Sequence, residues 1–166
     1  PALMCEISRS ALGSFEKALL EAVPDARSGN AHCPIQLKVG PIKRLNRVAV
    51  KVGEYREEKG EDQWPHSRFV SDILRASYIC KDAESMVQAF EGLSMSPAFQ
   101  VVRLKNKLGR CQGPFNLHVN ILFHPPECEH PILCEVQFYP HGVYVFAHKN
   151  HLMYELKRAV NLTDLL

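Results

Sequence analysis

The sequence has no paired Cys-x-x-Cys, no apolar run near the roughly 20 residues of a membrane-spanning helix, no internal repeat and no low-complexity tract. Its six cysteines, Cys5, Cys33, Cys80, Cys111, Cys128 and Cys134, are scattered rather than set in the dense framework of a small secreted domain, so a reduced, intracellular (cytoplasmic) protein is expected. The opening Pro1-Ala2-Leu3-Met4-Cys5-Glu6 lacks a charged stretch followed by a hydrophobic one, and no membrane partner is expected. Charge of one sign is also missing. With 20 Lys and Arg against 18 Asp and Glu, bulk charge does not by itself point to nucleic acid, although local clusters can. No glycine-rich phosphate loop is present, and no serine or cysteine stands on a glycine-flanked elbow.

What is present is an apolar share of 46% in 166 residues, enough for one domain with a real core. The expectation is a single domain over 1–166, with an N-terminal helix and loop over 1–40 and the core over 41–160. The ends at Pro1 and Leu166 are compatible with a domain cut from a longer chain.

Apolar residues at helical spacing predict a helix over Ser10–Val23, stopped by Pro24, then a polar loop over Asp25–Pro34. A second helix is predicted over Pro41–Lys59, about five turns at 3.6 residues each, with a charged loop over Glu57–Pro65. From Phe69 the period shortens. Ile73–Cys80 reads as a buried strand, and Asp82 caps a helix through Phe90 that ends at Gly92. Strands follow over Phe99–Leu104, Leu117–Phe123 and Ile132–Phe138, with a loop at Gly109–Gly113 and a closing helix over Phe146–Val160. This order predicts an α+β, or mixed α/β, domain with a mixed sheet of four to five strands flanked by helices.

Two acidic signatures stand out, about sixty residues apart: Asp72 in Ser71-Asp72-Ile73-Leu74-Arg75, and Glu135 in Cys134-Glu135-Val136-Gln137-Phe138. A carboxylate on an apolar strand-like run is costly unless something compensates it. Two that converge make a seat for Mg²⁺ beside a nucleotide phosphate. Lys43, Arg47 and Lys51 recur every four residues as a cationic stripe, which fits a triphosphate grip or a solvated face salted by Glu54 and Glu58. Arg103, Lys105 and Lys107 alternate along a strand, with Arg110 beyond, so one sheet face could carry three cations. On the face that holds Asp72 and Glu135 they would suit phosphoryl or pyrophosphoryl transfer.

His124, Cys128, His130 and Cys134 fall within eleven residues, but their spacing is unlike that of structural zinc sites, and Cys134 reads as a small buried hydrophobe. His148, His151 and Tyr154 lie at helical spacing on the closing helix and read as packing or surface residues.

Taken in order, these segments resemble the synthetase domain of the RelA/SpoT family over roughly Pro41 to Arg158. The resemblance implies a nucleotidyltransferase-like fold and transfer of pyrophosphate from ATP to the ribose 3′-hydroxyl of GDP or GTP. Asp72 matches the Mg²⁺-binding Asp of the family's D-x-x-G-x-R, with Arg75 at the glycine position and Ser77 at the arginine. Lys43, Arg47 and Lys51 resemble upstream residues that contact ATP phosphates. Arg103 and Lys105 resemble an R-x-K-D strand, with Asn106 at the last position and Lys107 just beyond. Gly113-Pro114-Phe115-Asn116-Leu117-His118 resembles G-Y-x-S-L-H, whose tyrosine stacks on guanine. Pro114 stands at that position, with Phe115 the neighbouring aromatic. Glu135-Val136-Gln137 matches E-V-Q, whose glutamate binds metal or activates the hydroxyl, and Tyr139 stands where an arginine is usual. His148 or His151 matches a histidine of the closing helix.

The expected function is therefore a Mg²⁺-dependent pyrophosphotransferase with ATP as donor and an unassigned acceptor. Its departures at Ser77, Asn106, Pro114 and Tyr139 support the alternative, a domain that binds a nucleotide, RNA or a protein partner without turnover.

Overall fold

The computed structural model describes residues 1–28, 33–109 and 115–158, the last nine in backbone only. Nine amphipathic residues form α1 (Ala2–Ser10), and α2 (Leu12–Ala22) follows after Ala11. The helix expected over Ser10–Val23 is α2, and α1 precedes it unforeseen. Nothing in sequence announces α1, whose N-terminus has no side-chain cap.

Within the stretch expected to be loop lies β1 (Ala26–Ser28), and β2 (Ile35–Val39) follows it. Next come α3 (Leu45–Lys59), short 3-10 turns at Glu61–Gln63 and His66–Phe69, β3 (Arg75–Cys80), α4 (Ala83–Met95) and β4 (Phe99–Asn106). The chain closes with β5 (Leu117–Phe123), β6 (Ile132–Pro140) and α5 (His141–Arg158).

The strands form one mixed sheet in the order β1-β2-β3-β6-β5-β4. β3 runs parallel to β6, and β6 runs antiparallel to β5, so the chain returns to fill the centre of the sheet last. The fold class is as expected: β2 to β6 make a five-stranded mixed sheet, and β1 adds a three-residue edge.

Strand alternation divides the sheet into two unlike faces. One carries Leu37, Ala76, Tyr78, Val119, Ile121, Cys134, Val136 and Phe138, all buried against Phe15 and Leu19 of α2 and Met86, Ala89 and Leu93 of α4. Asp82 caps α4 as expected, accepting from the Ser85 amide while the Ser85 hydroxyl accepts from the Asp82 amide. Gly92 does not end the helix. A Cβ there would stand 2.5 Å from the Ala22 carbonyl oxygen, so the glycine serves the close crossing of α4 and α2.

A second, smaller cluster joins α1 and α3 through Cys5, Val48, Val70 and Ile73, with Ile42, Val52 and Tyr55 packed against it. Val70 and Ile73 enter this cluster while Leu74 enters the main core, which pins the backbone on both sides of Asp72. That anchoring brings α3 beside the start of β3.

Candidate active site on the polar face of the sheet

Asp72 lies three residues ahead of β3 rather than within a strand, and it is buried. Gly40 donates its amide to the Arg75 carbonyl at 2.9 Å, and Lys43 donates its own to the Ile73 carbonyl at 3.3 Å. These bonds hold residues 40 to 43 alongside β3, so α3 starts at Leu45 and not at Pro41. Lys43 therefore precedes the helix on which Arg47 and Lys51 stand. The stripe still converges: Lys43 Nζ lies 2.5 Å and Lys51 Nζ 2.8 Å from the same oxygen, Asp72 Oδ2. The other oxygen, Oδ1, is buried with no hydrogen-bond partner among the described residues. Burial opposes ionisation of Asp72, but hydrogen bonds and charge from Lys43 and Lys51 outweigh it and hold the carboxyl below its usual range. Lys43 is pushed down by burial, with Lys51 and Arg75 adding like charge. Lys51 is raised, because Asp72 outweighs its burial. Lys43, Arg47, Lys51, Val50, Glu54 and Asp72 line an open cleft of about 240 Å³.

Beside this cleft the polar residues of the sheet form two rows, since laterally paired residues share a face. Arg75 pairs with Glu135, Glu135 with Asn120, and Asn120 with Arg103. In the next row Lys38 pairs with Ser77, Ser77 with Gln137, Gln137 with His118, and His118 with Lys105. The alternation expected of Arg103 and Lys105 thus brings them to the face that holds Glu135. The bulge after Val101 does not undo it.

Glu135 is buried and held at both oxygens. His118 Nε2 lies 2.7 Å from Oε2, and the Gln137 amide donates to Oε1. Lys107 Nζ sits 3.2 Å from the other ring nitrogen, His118 Nδ1. Gln137 is oriented in turn: its Oε1 accepts from Asn116 Nδ2 at 3.1 Å and from the Tyr139 hydroxyl. Burial works to raise the Glu135 pKa and is outweighed by His118 and Gln137, so the group stays a carboxylate; Asp72 pushes the other way through its like charge.

Asp72, Glu135, Lys43, Arg47, Lys51, Arg75, Arg103, Lys105, Lys107, Asn116, His118 and Gln137 therefore gather on one side of the sheet. Phe115 is 40% exposed beside Asn116. Arg110, Gly113 and Pro114 lie outside the described residues, as do the side chains of His151 and Tyr154. Among the described residues no three His, Cys, Asp or Glu side chains gather where an ion could sit, His124, Cys128, His130 and Cys134 included. Not foreseen were Asn120, whose buried Nδ2 has no partner among the described residues and which shares a row with Glu135, and the Tyr139 hydroxyl on Gln137. The period-two pattern His118, Asn120 and Glu135, Gln137, Tyr139 was the available signal.

The same architecture is found in solved structures. The chain superposes on small alarmone synthetase 1 of Bacillus subtilis bound to its product pppGpp with a TM-score of 0.71, at 17% identity, covering 95% of this chain and 82% of that one. Small alarmone synthetase 2 of the same organism gives a TM-score of 0.70 at 18% identity, covering 96% and 83%. The fold is that of the small alarmone synthetases. A GTP pyrophosphokinase family protein from Streptococcus pneumoniae shares this synthetase fold with a TM-score of 0.66 at 14% identity, covering 95% and 78%. No protein-family model and no curated protein matches the sequence. The chain therefore shares the architecture of these structures at sequence identities of 14% to 18%.

Proposed function

We propose that this domain binds a Mg²⁺-nucleotide on the polar face of its sheet and transfers pyrophosphate from ATP to a nucleotide hydroxyl. The observation that carries the reading is the convergence of Lys43 and Lys51 on Asp72, with Arg75 and Glu135 paired on the adjoining strands. A surplus of cations around two buried carboxylates suits a polyanion that arrives with its own metal ion.

The residues fit Mg²⁺ by their chemistry. Asp72 Oδ1 is a buried hard oxygen without a partner among the described residues, and Glu135 supplies the second carboxylate. When bound, the ion would neutralise charge on the transferring phosphates. Lys43, Arg47, Lys51 and Arg75 bind and orient the donor, while Arg103 and Lys105 present charge from β4. Glu135, ionised at neutral pH, is the acceptor for the hydroxyl proton at Oε2, with His118 and Gln137 fixing its position. In balance, the acceptor oxygen bonds to the β-phosphorus, the bond from that phosphorus to the oxygen bridging to the α-phosphate breaks, AMP leaves, and the proton passes to the carboxylate. Relatives of the fold are described as bound to pppGpp and to AMPCPP, which supports nucleotide binding here.

Calorimetric titration with ATP and Mg²⁺ tests the binding half. Saturable binding that falls at least about tenfold in Lys51→Ala supports it, and no heat beyond dilution contradicts it. Binding of ATP, GTP or RNA with no product formed would select the non-catalytic alternative.

A further inference from the structure

Tyr144 and His148, one turn apart on α5, stack with ring centroids 5.8 Å apart and planes 8° from parallel. The Nζ of Lys38 lies over the Tyr144 ring, 5.0 Å from its centroid, and Tyr139 meets the ring edge-on at 5.6 Å. Lys38 belongs to β2 and pairs with Ser77, whose small side chain stands in the row next to Arg75. The half-buried Tyr144 therefore hangs beside the polar face, on the half of the sheet that holds Asp72, Lys43, Lys51 and Arg75. Adjacent rows on a sheet face are about 6.6 Å apart, two residues at about 3.3 Å each, which is within the span of one nucleotide.

We infer that Tyr144, backed by His148, is the stacking platform for the purine base of the donor nucleotide, on the ring face that the Lys38 ammonium covers in its absence. The inference rests on the polyphosphate reading above and adds the base to it. A flat base exchanges a lysine's cation–π contact for aromatic stacking, which accepts any purine because every base has a π-face. The displaced ammonium stays tethered to β2, beside the row that holds Arg75, where it adds a cation for the phosphates. The small side chain of Ser77 leaves the space above it open. This assignment gives the donor an aromatic contact that no sequence motif in the chain announces, because Tyr144 and Lys38 meet only through the register of β2, β3 and α5.

The test compares ATP with inorganic tripolyphosphate, both with Mg²⁺, in calorimetric titrations of the unaltered chain, Tyr144→Phe and Tyr144→Leu. ATP is expected to bind more tightly than tripolyphosphate, to keep its affinity within about twofold in Tyr144→Phe, and to lose about tenfold or more in Tyr144→Leu, while tripolyphosphate binds all three alike. Equal affinity of the unaltered chain for the two probes would overturn the assignment, as would unchanged ATP affinity in Tyr144→Leu. Parallel loss of both probes in that variant would overturn it too, since the ring would then act on the phosphates or the fold. Failure of the unaltered chain to bind either probe is a different result, and it removes the polyphosphate reading itself.

Discussion

Arg75 lies across Gly40: a Cβ at position 40 would stand 3.0 Å from Arg75 Cγ and 3.1 Å from Nε. The absence of a side chain just past the end of β2 thus leaves room for an arginine of β3 whose charge helps to depress the pKa of Lys43. Gly40→Ala is expected to turn the guanidinium aside and weaken polyphosphate binding by roughly threefold to tenfold, the equivalent of about 1 kcal/mol. Calorimetry with tripolyphosphate reads the change, and affinity equal to that of the unaltered chain would show that Arg75 takes no part.

Glu135→Gln separates binding from chemistry. The amide keeps the shape of the group but cannot take up a proton. Turnover should fall by at least about 100-fold, whereas the affinity for ATP should stay within a few-fold. A variant with near-normal product formation would assign the proton to another acceptor.

Acid stability follows from the two depressed carboxylates. A group whose pKa is lower in the folded chain than in the unfolded one contributes stability that is complete above the unfolded value, near 4, and is lost as pH falls through the folded value. Asp72 and Glu135 both have this sign. Denaturant unfolding should therefore show stability falling below about pH 4, with a shallower fall in Asp72→Asn. An equally steep acid limb in that variant would mean that the lysine clamp on Asp72 contributes nothing to it.

Gly92 offers a test of the fold alone. The Ala22 carbonyl stands where a methyl group would go, so Gly92→Ala should cost about 1–3 kcal/mol by forcing α4 from α2, although alanine is the better helix former. Thermal unfolding gives the answer, and a stabilised variant would show that the crossing has slack.

Much of this arrangement was legible in the residues and part was not, for identifiable reasons. The alternation around Tyr78, Val119 and Val136 marked β3, β5 and β6, because one face of each strand is buried. Ile35, Leu37 and Val39 alternate in the same way over β2, but a five-residue strand between a proline and a glycine offers a short window. Gly92 misled because close packing and helix termination call for the same residue. At the site, the charge pattern marked Lys43, Lys51, Arg103 and Lys105 as candidates, yet their partners depend on strand order. β6 fills the gap between β3 and β5 late in the chain, and only that insertion sets Glu135 between Arg75 and Asn120. The pairing of His118 with Glu135 and the meeting of Lys38 with Tyr144 arise the same way, from contacts that no local spacing encodes.

The most direct measurement is product formation itself. ATP labelled in its β-phosphate, incubated with Mg²⁺ and in turn with GDP, GTP, ADP, AMP and RNA, should give label on at least one acceptor with release of AMP, and Asp72→Asn should reduce it by at least about 100-fold. Label transferred to none of these acceptors, or transferred equally well by Asp72→Asn, would contradict the account.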